Sequence, residues 1–114
     1  AFAAFNILMP YPDTAFYKLL ENENRLLYDG KWWLHDEYRF NHASFIPKNM
    51  TADQLTEAAF EVRKEFNSLK SIIYRSFDPK THMSSIFRYL AYFQYNPLFR
   101  KEMYKKQGLK LGKK

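Results

Sequence analysis

Met50-Thr51-Ala52-Asp53-Gln54-Leu55 is the segment that most constrains what this chain can fold into. Thr51 stands where a helix N-cap would, with Gln54 three residues on. Hydroxyl and amide can then each satisfy the other residue's backbone N–H, the reciprocal arrangement of a capping box, with Met50 and Leu55 as the apolar staple around it. Leu55, Ala59, Val62, Phe66, Leu69 and Ile73 follow at intervals of three or four. That spacing predicts one long helix with a single apolar stripe. Asp78-Pro79 must end it, because a residue before proline is pushed out of helical geometry.

Shorter helices are predicted on either side. Asp13 or Thr14 can cap a helix carrying Phe16, Leu19 and Leu20 and running to about Asn22, with Asn24 tolerating a left-handed stop. A further helix starts between Thr81 and Ser85, turns Ile86, Leu90 and Phe93 inward, and breaks at Asn96-Pro97. A last one covers Leu98 to Lys106 and ends at Gly108, leaving 109–114 to fray. Residues 25–50 show no sustained period; Asp29-Gly30 marks a turn, and Tyr38-Arg39-Phe40 and Ala43-Ser44-Phe45-Ile46 suit short extended pieces. The expectation is a mainly α domain of three to four helices. Its core is drawn from Leu19, Leu20, Leu55, Val62, Phe66, Ile73, Ile86, Leu90 and Phe93, with Trp32 and Trp33 as large covers.

The first ten residues belong to a different pattern. Ala1 to Met9 is an apolar run interrupted at Asn6 and stopped by Pro10 and Pro12. It is far short of the roughly 20 residues a membrane-spanning helix needs and has no basic start of a signal peptide. It reads as a buried strand with no partner strand elsewhere in the chain, which points to a piece of something larger. Such an orphan strand, residues 2–8, also predicts self-association.

Composition removes several chemistries. The chain of 114 residues has no cysteine, hence no disulfide, thiolate metal site or cysteine nucleophile. Its three histidines, His35, His42 and His82, are scattered and no two share an i, i+4 spacing, so packing or surface roles are expected. Three glycines are too few for a phosphate loop, and no nucleophile elbow appears. The net charge of +6 comes entirely from the end of the chain: residues 97–114 carry seven basic side chains against Glu102, while residues 1–96 balance at eleven of each sign. A nucleic-acid reader spreads its basic residues over a groove or face, so nucleic acid is disfavoured as a partner despite Tyr89, Tyr92, Phe93 and Tyr95 nearby. In that stretch Phe93 suits the core, with Tyr89 and Tyr92 half-buried at its edge. Membrane is disfavoured similarly, with Leu98, Phe99, Met103 and Tyr104 beside the basic residues its strongest argument. A stand-alone module gripping nucleic acid or anionic membrane through the basic C-terminal end is the alternative.

The order of several motifs carries a resemblance. Phe5-Asn6-Ile7-Leu8-Met9-Pro10-Tyr11-Pro12-Asp13-Thr14-Ala15-Phe16-Tyr17-Lys18-Leu19-Leu20, then Asn24-Arg25-Leu26-Leu27, Lys31-Trp32-Trp33-Leu34 and Phe45-Ile46-Pro47-Lys48-Asn49-Met50-Thr51, resembles the C-terminal region of radical S-adenosylmethionine enzymes of the cobalamin-binding Fe–S oxidoreductase branch. In that family a strand ends in a pattern like P-[YF]-P-G-T-P and a helix follows; here Asp13 stands for the Gly and Ala15 for the second Pro. The resemblance covers roughly residues 2–75.

The expected division is a strand-like segment at 1–12, which the resemblance makes a leftover of a barrel, a helical C-terminal domain at 13–106 containing the aromatic loop 25–50, and a basic tail at 107–114. It implies that Pro10, Tyr11, Pro12 and Thr14 lie at a barrel mouth, where βα loops build active sites, or simply turn the chain from strand to helix. The parent would be a cytoplasmic enzyme using an iron–sulfur cluster, S-adenosylmethionine and, in this branch, cobalamin. A chain without cysteine would be its non-catalytic portion, closing or buttressing the barrel and shaping access to its active site, with the rest of the barrel as its partner.

Overall fold

A computed structural model describes residues 3–81 and 83–112; Ala1, Phe2 of the apolar start, His82, and Lys113 and Lys114 of the tail lie outside the described residues. The protein is mainly helical. Four α-helices follow in order: α1 (Ala15–Asn22), α2 (Ala52–Phe66), α3 (Leu69–Ser76) and α4 (Ile86–Lys106), with a 3-10 turn at Tyr28–Gly30 after α1. Among the described residues there is no strand, only two isolated antiparallel bridges, Leu26 with Phe45 and Arg39 with Lys110. Contacts divide the chain into two compact units. The first holds Ala1–Phe5 and Phe60–Lys105; the second holds Asn6–Ala59 and Lys106–Lys114.

The second unit is rich in loops and well buried. Thr14 caps α1, its hydroxyl accepting from the Tyr17 N–H at 3.2 Å. Asn24 makes the left-handed stop at φ 52°. The capping box closes on both sides: the Thr51 N–H reaches the Gln54 amide oxygen at 2.9 Å, and the Gln54 N–H reaches the Thr51 hydroxyl at 3.1 Å. Leu20, Tyr38, Ala43 and Phe45 form the apolar centre. Thr56 is buried at no cost in unmet hydrogen bonds, because its hydroxyl donates to the Ala52 carbonyl and accepts from the Ala43 N–H, both at 2.9 Å. At Gly30 (φ 71°) an added Cβ would meet the Tyr17 hydroxyl at 2.6 Å, so both conformation and space require glycine there.

The first unit departs from the sequence-based expectation twice. The long helix is two helices: α2 stops at Phe66, and Ser68 caps α3 by accepting from the Ser71 N–H at 3.1 Å. A serine that satisfies an orphan donor makes a new start cheaper than continuing. The break re-aims the stripe, so Ile72 is buried and Ile73 is exposed. The second departure is at Pro97, which lies inside the single helix α4 instead of separating two. Asn96 is buried beside it and donates its amide to the Tyr92 carbonyl at 2.8 Å. Tertiary burial of Tyr92 and Asn96 on the turn before it outweighs the hydrogen bond that the proline removes.

The predicted core changes accordingly. Leu20 is fully buried, whereas Leu19, Val62, Ile73, Ile86, Leu90 and Phe93 are exposed. On α4 the inward face is Tyr92 and Asn96, not Ile86, Leu90 and Phe93. Tyr92 can be buried because its hydroxyl donates to the Ile72 carbonyl at 2.6 Å. Residues 109–112 are not frayed as expected. The Gly108 N–H reaches the Phe40 carbonyl at 3.0 Å, the Phe40 N–H reaches the Leu109 carbonyl at 2.8 Å, and Lys110 pairs with Asp36 at 2.9 Å. That ion pair holds the Asp36 carboxyl below its usual range, through its hydrogen bond with the ammonium first and charge second.

Candidate functional site

Residues 3–11 have no regular secondary structure, and between described residues the backbone of 3–9 makes no hydrogen bond to other backbone. The chain then reverses sharply at Tyr11-Pro12-Asp13-Thr14, where the Thr14 N–H meets the Tyr11 carbonyl at 3.3 Å and the Thr14 hydroxyl donates to the same oxygen at 2.7 Å. Pro12 occupies the second position of this turn, and Asp13 the third at φ 64°. That is the sequence and backbone pattern of a type II turn, whose third position favours glycine. Aspartate is one of the few other residues that enter the left-handed region readily.

The turn opens onto a groove of about 800 Å³ in the second unit. Tyr11 and Thr14 line it together with Leu8, Trp32, Tyr38 and His42. Of the four residues singled out from the sequence, these two face the groove. Pro10 is buried, and its carbonyl accepts from the Trp32 indole N–H at 3.0 Å; Pro12 is exposed and does not line the groove. The sequence reading treated Trp32 as a cover and passed over Tyr38 and His42. The usable signal was aromatic density: Tyr11 meets Trp32 edge-on at 5.7 Å, and Trp32 meets Tyr38 at 5.2 Å. Edge-to-face rings lock one another and leave the polar tips to find partners.

Electrostatically the groove is neutral. Burial pushes the Tyr38 hydroxyl up to about 12, and that hydroxyl donates to the His42 carbonyl at 3.2 Å. Burial also pushes the His42 imidazole below its ordinary value, favouring the uncharged ring. Hydroxyls, the side-chain amides of Asn6 and Asn41 and one neutral imidazole are the polar groups on an otherwise apolar wall. Such a wall suits an apolar or aromatic occupant with few hydrogen bonds and lacks the paired carboxylates or activated nucleophile of a hydrolytic site.

The iron–sulfur cluster implied by the family resemblance does not fit these residues: the sequence has no thiolate ligand, and among the described residues no three His, Asp or Glu side chains gather. His35 and His42 do not converge on such a group. No described helix is long and apolar enough to cross a membrane. Known family models, curated proteins and solved structures give no match to this chain.

Proposed function

We propose that this chain is the non-catalytic C-terminal portion of a radical S-adenosylmethionine enzyme of the cobalamin-binding branch, laying residues 3–9 on the rest of the barrel and helping to frame the barrel mouth. The observation that carries the reading is the backbone at Asp13. The family's strand-end pattern has glycine at that place, and here the residue adopts φ 64°, a conformation in which glycine carries no Cβ penalty. The substitution therefore keeps the turn that the pattern requires. The segment 3–9 adds to it: between described residues its backbone makes no hydrogen bond to other backbone, which leaves it suited to completing a sheet.

On this reading Tyr11 and Thr14 present their side chains to the groove, while Pro10 and Pro12 fix the path of the chain from strand to helix. The cluster, S-adenosylmethionine and cobalamin would be held by other parts of the parent. What this chain supplies is a rigid aromatic wall. The test is the in-frame coding sequence upstream, expressed as one polypeptide with this chain. A CxxxCxxC segment, and a polypeptide that assembles a cluster and cleaves S-adenosylmethionine reductively, support the reading. An upstream sequence without that motif, or one that binds no cluster, overturns it.

A further inference from the structure

The α3–α4 hairpin of the first unit exposes the largest apolar side chains of that unit at one end. On α3 the outward arc holds Leu69, Ile73 and Tyr74, with Phe77 at its C-cap; across the connection stand Met83, Ile86, Phe87 and Leu90. Tyr74, Ile86 and Phe87 are 81%, 71% and 80% exposed, and several such side chains close together in the chain mark an interaction surface. The connection is held compact by the Met83 N–H on the Asp78 carbonyl at 3.2 Å, which brings the two helix ends together. An apolar tip of this kind needs cover.

Charge decides among the possible covers. Between Phe66 and Asn96 the chain carries four basic side chains, Lys70, Arg75, Lys80 and Arg88, against the single acid Asp78. The Asp78 carboxylate is turned inward on its own loop, accepting from the Lys80 N–H at 2.9 Å and from the Thr81 hydroxyl at 2.6 Å. Lys80 and Arg88 are exposed and lie in the chain beside Phe77, Met83, Ile86 and Phe87. A second copy of this face would bring these cations against themselves. An anionic lipid surface would neutralise them while taking the rings and aliphatic chains below the headgroups, which is the recognition pattern of an interfacial helix.

We propose that the α3–α4 tip is a peripheral membrane anchor, inserting Tyr74, Phe77, Met83, Ile86 and Phe87 at the headgroup boundary of an anionic bilayer with Lys80 and Arg88 beside them. This inference is independent of the enzyme reading above, since it rests on the first unit alone. It concerns a surface that lies upstream of the basic C-terminal end.

The experiment is flotation of the chain with vesicles of phosphatidylcholine alone and with phosphatidylcholine mixed with phosphatidylserine, at low and physiological salt. The chain is expected to float with the mixed vesicles and not with the neutral ones, with less bound as salt rises. Ile86→Asp with Phe87→Asp should reduce binding at least tenfold, and Lys80→Gln with Arg88→Gln by roughly 25-fold, at about fivefold per cation lost near the surface. Leu34→Asp, on the second unit, should leave binding unchanged, and matching circular dichroism spectra certify that each variant folds. No flotation with mixed vesicles, or flotation that the tip variants leave intact, overturns the proposal. So does light scattering that finds a dimer in solution and a monomer for Ile86→Asp with Phe87→Asp, because the cover would then be a second copy.

Discussion

The two units bury their side chains by opposite means. The second unit has little regular structure, yet Leu20, Tyr38, Ala43, Ser44 and Phe45 are enclosed and its loops are tied by specific bonds. The first unit is nearly all helix, yet among its apolar side chains Ile72 and Tyr92 are buried while Val62, Leu69, Ile73, Ile86 and Leu90 are exposed. Regular backbone therefore says little about burial. Helices satisfy their own hydrogen bonds wherever they lie, so they can carry apolar surface outward. A loop can stay ordered only if its polar groups find partners, which is why the irregular unit is the one with more cross-chain bonds.

That contrast can be broken by substitution. Leu20→Ala removes a fully enclosed side chain and should lower the unfolding free energy by about 2–5 kcal/mol in urea titration, while Leu90→Ala on α4 should stay within about 0.5 kcal/mol. Equal losses would mean the two units are buried alike. Gly30→Ala should cost roughly 1–3 kcal/mol by the same titration, because the new methyl meets the Tyr17 hydroxyl and the backbone lies at φ 71°. Ser68→Ala should cost about 1 kcal/mol and loosen the start of α3, seen as faster amide exchange at Leu69 to Ser71. At the strand-end turn Asp13→Ala should cost about 1 kcal/mol, whereas Asp13→Gly should cost nothing measurable. Equal effects of those two variants would remove the backbone argument for the turn.

The pH effects fall in the irregular unit. His42 has a folded pKa below its ordinary value, so between the two values the unfolded chain binds the extra proton. Stability therefore rises with pH through the range just below about 6.5, and His42→Gln should flatten that limb. Tyr38 works in the opposite sense at the alkaline end. Its folded value of about 12 exceeds that of the unfolded tyrosine near 10, so stability falls as pH climbs between them. Thermal melts in steps of pH on the parent, His42→Gln and Tyr38→Phe would read both limbs.

Much of the local structure was legible in the sequence because it is written in short-range chemistry. The capping box at Thr51 and Gln54, the left-handed stop at Asn24 and the end of α4 before Gly108 all depend on residues within one turn of each other. What failed was phase. A single serine, Ser68, restarts the helix and rotates the stripe, so the inward residue is Ile72 and not its neighbour. Pro97 failed as a helix break because tertiary packing outweighs local propensity: Tyr92 and Asn96, on the turn before it, are both buried. The groove was half legible: Tyr11 and Thr14 belong to a contiguous motif, whereas Tyr38 and His42 reach the same wall through tertiary packing that no local spacing encodes.

Amide hydrogen exchange at residues 3–9 decides whether this segment completes a sheet. It should be measured on this chain alone and on a longer polypeptide joining it to a cluster-bearing barrel. The account predicts unprotected exchange in the chain alone, where those amides meet no backbone carbonyl, and slowing by about a hundredfold or more once the barrel is present. Equally fast exchange in both would show that the segment completes no sheet and would contradict the account.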